Sequence, residues 1–160
     1  MFAKTSLMAL ALMALNGCAS PPVQLLQASP QCLGGQDRVV RWLGDAEQLA
    51  SAWRLASPRL PATPVPEVDF VRRAVVLVAD AEQSTAGHGL NLADPALPIR
   101  SGVATLSVAS GTPVGVAAQV VTRPCLFVAV PLGDYPSLGG RDQMGGVWGR
   151  VTRPKPVKPD

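Results

Sequence analysis

Apolar residues in this chain fall into short runs cut by glycine and proline, and one stretch repeats them at helical spacing. Ala46, Leu49, Ala50 and Trp53 recur behind Asp45, whose carboxylate can accept bonds from the first free amides of a helix. A helix is therefore predicted over 46–55. Strands are predicted over 38–43, 68–79, 88–92, 103–109, 117–122, 126–131 and 146–151, with Gly or Pro in the gaps. Within the second of these, Val75, Val76, Leu77 and Val78 are continuously apolar, which suits a strand covered on both faces. Four prolines make 57–66 an extended connector.

Several short strands and a single early helix define an α+β, β-rich domain, built as a compact antiparallel sheet or a small barrel. Composition agrees, because 48% of residues are hydrophobic and 16% charged, too apolar for a disordered chain and too poor in charge for a bundle of solvated helices. Domain limits follow the breakers. Residues 18–36, with Pro21, Pro22, Gly34 and Gly35, read as a flexible tether, 37–152 as one domain, and 153–160 as a basic, proline-rich tail.

Residues 1–17 have the pattern of a signal peptide: Lys4, an apolar stretch from Leu7 to Leu15, then small residues. The stretch is short of the about 20 apolar residues a spanning helix needs. Leu15-Asn16-Gly17-Cys18 has the spacing of a lipoprotein processing site, with Asn16 its one poor fit, so Cys18 is the expected lipidation residue. An ordinary secretory cut near Ala19 and Ser20 is the alternative. Each buried methylene of an acyl chain adds about 0.8 kcal/mol of membrane affinity, and two or more chains hold a protein firmly. Ala19 and Ser20 include no aspartate of the kind that retains many lipoproteins at the inner membrane, so the expected location is the outer membrane, facing the periplasm.

The isoelectric point of about 9.1 invites a nucleic-acid reading, which the placement of charge removes. Residues 18–149 hold nine Arg or Lys against ten Asp or Glu, while Arg150, Arg153, Lys155 and Lys158 stand against Asp160 at the end. The body is thus nearly neutral and no nucleic-acid partner is expected. The cationic tail could touch lipid headgroups or cell-wall carboxylates. With Cys18 lipidated, Cys32 and Cys125 remain. In an oxidising compartment they could form a disulfide; otherwise Cys32 sits in a mobile lead-in and Cys125 is a small buried hydrophobe.

Catalytic chemistry finds little to build on. His88 is the only histidine, no serine lies in a Gly-x-Ser-x-Gly turn, and no phosphate-cradling glycine loop or close metal-ligand spacing occurs. No catalytic residue, metal or cofactor is expected. Asp80 and Glu82 read as a solvated strand end. Thr85, Gly87, His88 and Gly89 form a turn that could present backbone and an imidazole to a partner, and Arg123-Pro124 reads as a bend or sheet edge. These six residues are the expected partner-binding positions.

Together the segments resemble the C-terminal domain of the PrcB family of bacterial lipoproteins, over about 42–135. In that family a valine-rich strand runs into a Thr-Gly-Gly-Tyr-like turn, and a later Val-Thr-x-Pro-Tyr segment precedes an apolar strand ending in proline. Here the first looks like Arg73-Ala74-Val75-Val76-Leu77-Val78 leading into Thr85-Ala86-Gly87-His88, and the second like Val121-Thr122-Arg123-Pro124-Cys125 followed by 126–131. Ala86 stands where the family has glycine, and His88 and Cys125 where it has aromatics. The resemblance implies a small β-rich domain without catalysis, accessory to a surface protease. A protein partner, of the protease class on that resemblance, and a membrane reached through the lipid are the expected associations. The alternatives are a chagasin-like inhibitor module, which also presents a Thr-Gly-Tyr-like loop, and a structural lipoprotein touching the cell wall.

Overall fold

The strand that carries the longest apolar run, β3 (Arg73–Ala79), alternates its side chains between two separate cores. The structure, a computed structural model, describes residues 22–32, 35–56 and 63–155. The expected signal peptide and Cys18 lie outside the described residues, as do residues 156–160 of the tail.

Beside β3 run β7 (Cys125–Pro131) and β2 (Val39–Leu43), and β1 (Gln24–Ser29) closes the far side of β7, giving an antiparallel sheet of order β1-β7-β3-β2. Val75, Leu77, Ala79 and Phe127 face the helix α1 (Ala46–Ala56), where Leu49, Ala52, Trp53 and Ala56 are buried against them. Trp53 and Phe127 meet with ring centroids 5.0 Å apart. Asp45 Oδ1 accepts from Gln48 N at 2.8 Å, as the sequence requires of an N-cap. At the other end Ser29 donates to the Ala56 carbonyl at 2.9 Å, tying the last helical turn to β1.

Ala74, Val76, Val78, Leu126, Val128 and Val130 point the opposite way, into a second sheet. It contains β4 (Gly89–Leu92), β6 (Val103–Gly111), β8 (Ser137–Asp142) and β9 (Val147–Thr152) in that order, with β5 (Ile99–Arg100) paired to β6. The fold is thus an α+β sandwich of helix, sheet and sheet. The barrel does not form: the two sheets stay separate, and one pair, β6 with β8, is parallel.

Three expectations are corrected. The tether over 18–36 is an ordered part of the domain across Gln24–Ser29, because β1 pairs with β7 from Gln24 opposite Ala129 to Ser29 opposite Cys125. The strand expected from 68 begins at Arg73, since Arg73 N bonds Asp69 O at 2.9 Å and makes a turn of the preceding residues. The segment 117–122 forms no strand: its ladder is one bridge, Thr122 opposite Gln83. β8 was hidden by Gly139 and Gly140, poor strand formers. Packing demands the second of these, because a Cβ there would lie 3.1 Å from Trp148 Cβ and 3.3 Å from Val40 Cγ2.

Cys32 and Cys125 are bonded, closing a separation of 93 residues immediately beyond the end of β1. Replacing both by alanine should lower stability by about 4 kcal/mol, the cost of freeing a loop of this length on the chain-entropy model. Urea midpoints measure it, and coincident curves would contradict it.

Tyr135, the only tyrosine, donates to the Pro131 carbonyl from a buried position. Burial pushes its phenol up to about 12, with Arg153 acting the other way. The folded value lies above the unfolded one of about 10, so the stability held by the neutral phenol is present below that pH and lost as pH rises from 10 towards 12. A denaturation midpoint that falls over this window, and falls less in Tyr135→Phe, is the expected result.

Candidate functional site

Two strands end and two begin at one end of the sandwich, and register places them together. Ala79, the last residue of β3, lies opposite Cys125, the first of β7; Gly89, the first of β4, lies opposite Gly111, the last of β6. The chain therefore crosses from the first sheet to the second through 80–88 and returns through 112–124, side by side. The two sequence-predicted motifs lie on these two crossovers.

Backbone bonds join them. Gln83 N donates to Thr122 O at 2.7 Å and Thr122 N to Gln83 O at 2.9 Å, while Ala86 N reaches Ala118 O at 2.9 Å. The Thr122 hydroxyl donates to Thr85 O at 3.0 Å, and Thr85 Oγ1 shares a bond of 3.1 Å with His88 Nε2. Gly87 has a φ of +90°, and a Cβ there would lie 2.8 Å from Pro113 Cβ. Glycine is thus required twice, by conformation and by contact.

Arg123 and Pro124, expected as contact residues, are turned inward, which corrects that expectation. Arg123 Nε donates to Asp80 O at 3.1 Å and Nη2 to Asp37 O at 2.6 Å, while its carbonyl accepts from Cys32 N at 2.8 Å. Its charge is spent on backbone carbonyls, so it clamps the base of the crossovers. Nor is Asp80 solvated. It is buried, accepts from Ala81 N at 2.8 Å, and pairs with Arg38 Nε at 2.9 Å, whose guanidinium lies 4.4 Å from the Trp148 ring centroid. Glu82 is exposed, so the two carboxylates do not work as a pair.

What this clamped base holds up is apolar. Val114 and Val116 are fully exposed and Val120 and Val121 more than half exposed, and between Arg100 and Arg123 no residue is charged. Val120 and Val121 belong to the strand expected over 117–122, and with no partner strand beside them among the described residues they stay bare. Pro113 and Gly115 within the run were the available signal. Thr85, Gly87, His88 and Gly89 flank them. Among the described residues no three His, Cys, Asp or Glu side chains gather as metal ligands.

Comparisons with protein-family models, with curated proteins and with solved structures return no match to this chain.

Gly87→Ala should cost about 1 to 3 kcal/mol, since strain and the Pro113 contact coincide there. Gly115→Ala, with a φ of +82° but open space around it, should cost less. Equal losses in denaturant unfolding would show that Pro113 yields freely.

Proposed function

We propose that this chain is a lipid-anchored envelope protein that binds another protein through its paired crossovers, as an accessory to an envelope protease. The observation that carries the reading is the set of uncharged, exposed valines standing on a base fixed by Arg123, Asp80 and the Gln83–Thr122 bridge. Exposed apolar groups cost solubility and mark interaction sites when a fold holds them in one place. Preorganisation lowers the entropy lost on docking.

The anchor rests on Leu15-Asn16-Gly17-Cys18, and the bonded Cys32 and Cys125 support an oxidising compartment, in keeping with outer-membrane attachment facing the periplasm. The protease association comes from the resemblance to the PrcB family. Binding rather than turnover fits a lone histidine engaged by Thr85.

A photo-crosslinking residue at position 116, in intact cells, should give a discrete protein adduct that the same residue at exposed position 71 does not. Val114→Asp with Val116→Asp should weaken the association by about tenfold or more. Equal adducts at 116 and 71, or none, would end the proposal. Palmitate should label the protein and fail to label Cys18→Ser.

A further inference from the structure

The outer face of the second sheet carries a shallow cleft of about 490 Å³ rimmed by Arg100, Arg141 and Arg150. Strand register explains the shape. Thr105, Gly139 and Arg150 stand in one cross-strand row, and Ser107, Arg141 and Val147 in the next, so Gly139 leaves a gap where a side chain would otherwise project. Arg100 closes one end from the β5 hairpin, opposite Val103.

The charge here is unanswered. All three arginines are exposed, no carboxylate lines the cleft, and among the described residues none of the three forms an ion pair or a side-chain hydrogen bond. Asp142, the nearest acid in sequence, spends Oδ1 on Met144 N and Gly146 N within its own turn. Elsewhere the described arginines are mostly occupied: Arg38 by Asp80, Arg72 by Asp69, Arg123 and Arg153 by carbonyls. Planar guanidinium groups around a concavity suit an oxyanion bound through paired N–H donors.

Chain direction says which oxyanion. Val23 N bonds Pro95 O at 2.9 Å, so the chain enters the fold beside the 93–98 loop that leads through Pro98 into Arg100. β1 then runs away from that point towards Ser29 and the crossovers. Four residues lie between Cys18 and Val23, so the five steps along the chain span about 17 Å at full extension. An acyl chain on Cys18 would keep the 93–98 loop, and the Arg100 end of the cleft beside it, within reach of a bilayer.

We propose that the Arg100, Arg141 and Arg150 cleft binds the phosphodiester headgroups of anionic lipids, a reading that rests on anchorage at Cys18 for its geometry. The test uses the chain from residue 18 with Cys18→Ser, which keeps every described element and has no acyl group, so its outcome is separate from that of palmitate labelling. Sedimentation should show binding to vesicles of phosphatidylcholine mixed with phosphatidylglycerol and little to phosphatidylcholine alone. Each of Arg100→Gln, Arg141→Gln and Arg150→Gln should weaken it by about fivefold, and the triple variant by about a hundredfold. Arg54→Gln, on the exposed side of α1, should change nothing. Gly139→Leu, which fills the floor and keeps every charge, should weaken binding at least as much as one arginine. Circular dichroism confirms that each variant is folded. Equal binding to both vesicles, or an unaffected triple variant, overturns the proposal. So does displacement by inorganic phosphate or soluble cell-wall fragments at constant ionic strength, which would assign the cleft to a free oxyanion or to wall carboxylates.

Discussion

The structure turns on the need to cover two central strands on both faces. β3 and β7 are buried along nearly their whole length, and neither a helix nor a sheet alone can shield both sides. α1 takes one side and the second sheet the other, dividing the apolar side chains between two cores. Burial on this scale is the main term favouring the fold. It also dictates the path of the chain, because consecutive strands that belong to different layers must be joined by segments that pass between them.

Those joining segments are where structure turns into function. A crossover has to leave one ladder before it can enter the next, so its backbone groups need partners outside the sheets. The molecule meets this by pairing the two crossovers with each other and clamping both with Arg123, whose guanidinium serves carbonyls that no strand could serve. Arg38 does a related service from the other side, held between Asp80 and the Trp148 ring and so linking the two layers. The polar residues at this end hold the scaffold, while the valines beyond them meet solvent.

How far the sequence showed this varies by element and for physical reasons. α1 was legible from Leu49, Trp53 and Asp45, although its buried face runs on through Ala52 and Ala56 and leaves Ala46 exposed; β3 was legible from four adjacent apolar residues, where local pattern and tertiary environment agree. β1 was not, since Gln24 and Gln27 interrupt its apolar pattern and an edge strand needs burial on one side only. β8 contains two glycines, and the reason for Gly140 lies in Trp148 of the next strand and in Val40, a hundred residues earlier in the chain. Positions 117–122 misled the opposite way, with strand-like residues and, among the described residues, no neighbouring strand to pair with. At the site, the turn around His88 was found from its glycines, and its closeness to 112–124 follows only from register. The inward Arg123 and buried Asp80 could not be read, because a charged residue beside a turn looks the same whether it faces water or a ring of carbonyls.

The bond between Cys32 and Cys125 also has a mechanical meaning. A pull on the chain ahead of Gln24 reaches β1 before any other described element, and an edge strand held by a single ladder can be stripped away. Stripping stops at Cys32, where a covalent link passes the force directly into β7 at the centre of its sheet. Tension from that direction would then bear on the best-buried strand of the protein.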